Sequence, residues 1–112
     1  MWIINKPKQA KINNMALARL IKETGVTEEV SPKNGKKFTL EELQKYVGGL
    51  IEFVQLNDKY NLIINEEGKI NNKCMPNSKA TKVMMQAFGW GDEMKDIVFG
   101  DVLLVRNELL ND

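Results

Sequence analysis

Two kinds of spacing alternate along this 112-residue chain. Apolar residues recur every second position in short runs and every third or fourth position in two longer ones. The first kind predicts strands and the second predicts amphipathic helices. Residues 16–21 are an apolar run interrupted by Arg19. Residues 26–30 alternate, with Val26, Glu28 and Val30 on one side and Thr27 and Glu29 on the other. Glu23-Thr24-Gly25 between them supplies a turn, so the pair reads as a β-hairpin.

A loop at 31–36 leads to a helix with a well-marked start. Thr39 is the expected N-cap and Glu42, three residues on, completes a capping box; Phe38 staples onto Leu43. Leu40, Leu43 and Val47 form its predicted buried face, and Gly48-Gly49 ends it. Residues 50–56 predict a strand that is apolar on nearly both sides. Tyr60, Leu62 and Ile64 alternate as the next. Asn65-Glu66-Glu67-Gly68 reads as a type I turn with a glycine bulge, leading toward a further short strand at Lys69-Ile70. Asn77 or Ser78 caps a second helix, whose stripe is Ala80, Val83, Met84, Ala87 and Phe88. Residues 97–105 close the pattern as one bent strand or as a hairpin around Gly100-Asp101. The order predicts a single α+β domain over residues 15–112: a small, largely antiparallel sheet with two packed helices. Residues 1–14 lack periodicity and read as an N-terminal extension.

Composition narrows the function more than it defines it. Sixteen basic and fifteen acidic residues leave a net charge of +1. That balance argues against a DNA mimic, which needs a dense acidic surface. It argues equally against direct nucleic-acid binding, which usually shows a marked basic excess. Lys6, Lys8 and Lys11 form a weak basic arm; Lys33, Lys36 and Lys37 form a weak basic loop. No stretch is long and apolar enough to span a membrane, so a cytoplasmic protein without membrane contact is expected. Histidine is absent and Cys74 is the single cysteine. Ser-His and Cys-His nucleophiles and histidine-ligated metals are thereby excluded. The expectation is a non-enzyme with no cofactor and no metal, and with Cys74 as a structural thiol.

Candidate contacts follow from what remains. Trp90 stands between Gly89 and Gly91 on a loop, as an anchoring aromatic would. Trp2, Lys36 and Lys37 are further candidates for contact with a protein. Lys69 and Lys79, with Trp90, are candidates for holding a nucleotide by charge and stacking. Glu52 sits within an apolar strand, on a face expected to be partly solvated. Glu66 and Glu67 read as an exposed turn. Met75, Met84, Met85 and Met94 read as core filling.

Several segments together resemble a family of small phage and mobile-element proteins, the domain-of-unknown-function family 3846. They are Val47-Gly48-Gly49-Leu50-Ile51-Glu52, Asn65-Glu66-Glu67-Gly68-Lys69, Met75-Pro76-Asn77 with Ala80-Thr81, and the terminal run from Asp96 to Leu103. The likeness spans about residues 15–106 and departs at two points, the leading extension and Cys74-Met75. It implies a phage or prophage accessory protein and carries no catalytic residues. The leading expectation is a protein that binds a host protein or complex in the bacterial cytoplasm, as an inhibitor of a defence system such as CRISPR-Cas. One alternative is a sponge for a nucleotide signal; another is a phage housekeeping or replication accessory.

Overall fold

The computed structural model describes residues 18–110. The expected extension, and Trp2 within it, lie outside them. Five strands, β1 (Ala18–Ile21), β2 (Thr27–Val30), β3 (Ile51–Gln55), β4 (Tyr60–Asn65) and β5 (Val102–Arg106), form one antiparallel sheet. Two helices, α1 (Leu40–Val47) and α2 (Ser78–Phe88), complete the α+β fold.

The sheet order is β2-β1-β5-β4-β3, so the last strand is the central one. Its sequence explains the position. Val102-Leu103-Leu104-Val105 is apolar without alternation, as suits a strand covered on both faces. Leu103 and Val105 join Ile63, Leu43 and Val47 in a core beneath α1. Val102 joins Leu62, Ala80 and Met84 in a second core beneath α2. Successive side chains point to opposite faces, so the helices sandwich the sheet.

The local signals around α1 form as predicted. The Glu42 N–H donates to Thr39 Oγ1 at 3.1 Å, and the Thr39 N–H donates to Glu42 Oε1 at 2.9 Å. Gly48 ends the helix at φ 81°, a conformation costly for any residue with a Cβ. Leu40, expected on the buried face, is instead 56% exposed. It shares the face of Leu43 and Val47 but sits at the first helical position, where Phe38 from the preceding loop, 1% exposed, fills the core instead.

Gly49 answers to a different constraint. A Cβ there would stand 3.1 Å from Asn65 Nδ2. Asn65 is buried, donates to Val47 O at 3.1 Å and accepts the Glu67 N–H at 2.8 Å. One side chain thus ties the end of α1 to the turn after β4.

Two strand expectations fail. Lys69-Ile70 is turn, not strand, because the chain runs on through turns at 66–70 and 72–73 to the isolated Pro76–Phe99 bridge. Residues 97–101 are neither a bent strand nor one arm of a hairpin. Gly100, at φ 85°, donates its N–H to Met75 O at 2.8 Å, and Asp101 Oδ1 accepts the Glu23 N–H at 2.9 Å. The ladder of β5 starts only at Val102.

Glu42 makes the fold pH-dependent. Its carboxylate is held below the ordinary range first by the Thr39 N–H and then by the Lys33 N–H. A depressed folded-state pKa contributes stability that is fully present above the ordinary value of 4.5 and is lost as pH falls below it through the folded-state value. Glu42→Gln preserves the reach of the capping box without the charge. Melting temperature followed by circular dichroism between neutral and acid pH should fall less steeply in Glu42→Gln than in the wild type. Equal slopes would remove Glu42 from the account.

Candidate functional site

Trp90 follows Gly89, whose left-handed conformation closes α2 and turns the chain away from the helix axis. The ring is half-buried against the core beneath α2 and lies 5.5 Å from the ring of Phe88, tilted by 40°. It lines a cleft of about 470 Å³. One wall is Glu52 and Val54 of β3 with Ile64 of β4; the other is Met84 and Phe88 of α2, with Ile97 to Phe99 across the end. Trp90 therefore packs on the core beneath α2 and also stays partly exposed in the cleft.

Apolar side chains continue outward from this cleft. Ile70 is 80% exposed, Met94 57% and Phe88 39%. Ile97 belongs both to the cleft and to an adjoining groove of about 600 Å³ with Thr81, Met85 and Met94. Met84 fills the core as expected, whereas Met75 and Met94 do not. Phe88, expected in the core stripe, lies past the last turn of α2 that the sheet can cover.

The charges here are mostly negative. Glu52, Glu66 and Asp96 line the cleft, and of its described lining residues Lys69 is the one cation. Lys69 Nζ is 2.5 Å from Asp96 Oδ1, which also accepts the Ile97 N–H at 2.8 Å. Those two donors, Lys69 first, hold the Asp96 carboxyl below its usual range.

The structure unites Trp90 and Lys69 and separates the other candidates. Lys79 donates from Nζ to Gly25 O at 2.6 Å, in the hairpin turn. It occupies the first turn of α2 and Trp90 follows the last, about 16 Å along an α-helical rise. Lys36 and Lys37 are exposed in the loop before α1, where both N–H groups donate to Asn34 Oδ1 at 2.8 and 3.0 Å. Glu52 is exposed on the outer strand, and Glu66 and Glu67 on their turn. Cys74 is half-buried; desolvation first, then the Glu23 and Asp101 carboxylates, push its thiol up and disfavour a nucleophilic thiolate. Ile70, Phe88 and Ile97 are not among the contact residues that the sequence suggests. Their only sequence signal is an apolar side chain at or beyond an element end.

Fold and cleft together define a small α+β domain with an aromatic, acid-rimmed cleft. The chain belongs to the family described as Domain of unknown function (DUF3846), whose model matches residues 9–109. No curated protein and no solved structure matches it. Among the described residues no cluster of acidic or cysteine side chains is placed to hold a metal ion, and no helix is long and apolar enough to cross a membrane.

Proposed function

We propose that this protein is a phage or prophage accessory protein that binds a host protein in the bacterial cytoplasm and thereby inhibits a defence system, CRISPR-Cas being the type case. It acts by occupying a surface, not by catalysis, and its contact face is the patch around Trp90. The supporting observation is the continuity of exposed apolar side chains, Ile70, Phe88, Met94 and Ile97, with a half-buried tryptophan. Contiguous apolar surface of this kind is costly to leave in water and marks interaction sites. Aromatic anchors in partly desolvated pockets carry much of the energy of such contacts.

A sponge for a nucleotide signal needs a cationic pocket. This cleft opposes one paired lysine to three carboxylates, which repels phosphate. The protein-binding reading is therefore preferred.

Ile97→Asp places a charge in the patch without touching the buried core. Tagged wild type and Ile97→Asp are passed through host lysate and bound proteins identified by mass spectrometry. A defence component should be retained by the wild type and reduced at least about tenfold in the variant, the range for loss of an interface anchor. The same variant should lose protection in a phage-plating assay on a CRISPR-competent host. Retention of replication proteins alone, or a wild-type melting temperature raised by cyclic nucleotides, would replace this reading with one of the alternatives.

A further inference from the structure

The two edges of the sheet are unequal. Among the described residues β2 ends one side and β3 the other. β2 is four residues long with Glu28 and Glu29 side by side, each held by a cation: Lys22 for Glu28 at 3.4 Å and Arg19 for Glu29 at 3.5 Å. Adjacent charges on a short strand are a usual guard against edge pairing. β3, Ile51-Glu52-Phe53-Val54-Gln55, has no lysine, no proline and one charge. Its Phe53 is 49% exposed.

The hydrogen bonds show which groups of β3 face outward. The Glu66 N–H donates to Leu50 O at 2.8 Å and the Leu56 N–H donates to Tyr60 O at 3.0 Å. In an antiparallel ladder, bonded and non-bonded pairs alternate. The even-numbered residues Glu52 and Val54 therefore bond β4, opposite Ile64 and Leu62. Ile51, Phe53 and Gln55 turn their N–H and C=O groups to the other side, which no strand among the described residues covers.

We propose that β3 is a self-pairing edge: two copies of the chain join antiparallel along it, about a two-fold axis through Phe53, into one continuous sheet. In that register Ile51 faces Gln55 of the second copy and Phe53 faces Phe53, so each outward residue gives and takes one hydrogen bond. Glu52 faces Val54. Shifting the axis to Glu52 would set Glu52 against Glu52, and like charges directly opposite are destabilising. The strand thus matches a second copy of itself in backbone, charge and side-chain cover, in the isologous manner of two-fold dimers. Glu52 and Val54 also line the Trp90 cleft. The axis is perpendicular to the sheet, so pairing sets the two clefts on the same face, on either side of one seam.

Sedimentation of the full chain over a range of micromolar concentrations tests this. The wild type should dimerise, and Phe53→Lys should weaken association at least about tenfold, since an edge lysine blocks strand addition. Glu29→Lys at the other edge should leave it unchanged. In the wild type, amide exchange at Ile51, Phe53 and Gln55 should slow as concentration rises, a readout that does not depend on how the variant folds. A chain monomeric at every concentration, a dimer that survives Phe53→Lys, or free exchange at those three amides in the dimer would each overturn it.

Discussion

Asn77→Asp is expected to cost the protein roughly 3–5 kcal/mol, although aspartate caps helices as well as asparagine does. The difference lies in the amide. Asn77 is fully buried. Its Oδ1 accepts the Ala80 N–H at 3.0 Å, which is the capping bond. Its Nδ2 donates to Ile21 O at 2.9 Å and to Gly100 O at 2.8 Å. One side chain thus joins the start of α2 to the ends of β1 and of the segment before β5. Aspartate keeps the cap, loses both donors and sets a carboxylate against two buried carbonyl oxygens. Each acceptor left unpaired costs about 1–3 kcal/mol, and a buried charge adds to that. Urea unfolding followed by circular dichroism measures the loss. Against a typical total of about 5–15 kcal/mol the loss is large. The substituted carboxyl should have a raised pKa in the folded state, so the deficit should shrink as pH falls and the protonated acid regains a donor. A variant within about 0.5 kcal/mol of wild type would reduce Asn77 to a helix cap.

Phe38→Ala should be similarly severe, at about 3–5 kcal/mol. Phe38 is 1% exposed at the centre of the core beneath α1, edge-on to Tyr46 with ring centroids 6.3 Å apart. Its N–H donates to Leu109 O at 2.8 Å, so the same residue holds the chain after β5. Leu40→Ala, on the other side of the capping threonine, should change stability by no more than about 0.5 kcal/mol. The comparison separates burial from hydrophobicity, because both residues are large and apolar. Equal losses in the same urea experiment would mean that the core does not distinguish them.

The features that could be read from residues alone are short-range. The Thr39–Glu42 box, the glycine after α1, the β1–β2 turn and the Asn77 cap each join groups within a few positions, so residue type and spacing specify them. Trp90 was legible as a candidate for the same reason, since two flanking glycines mark it. Its setting was not. Phe88 reads as helix core from its period, yet the sheet ends before it and it lies against Trp90. Lys69 and Lys79 look equivalent in the sequence. The length of α2 carries one to the hairpin turn and leaves the other paired with Asp96 at the cleft.

The remaining features depend on distant chain segments. Asn77 meets Ile21 and Gly100, residues 56 and 23 positions away. Asn65 meets Val47 across the sheet end, and a Cβ at Gly49 would press on it at 3.1 Å. The apolar run of β5 announces a strand covered on both faces but not its neighbours. The sequence by itself determined the two helices with their ends, the strands of the sheet apart from the failed readings at 69–70 and 97–101, and the absence of histidine chemistry, because propensity, capping and composition act locally. Only the tertiary structure decided that β5 lies at the centre, that β3 ends the sheet among the described residues and that acidic groups rim the Trp90 cleft. Those outcomes follow from burying two apolar sheet faces at once, which no local segment can do.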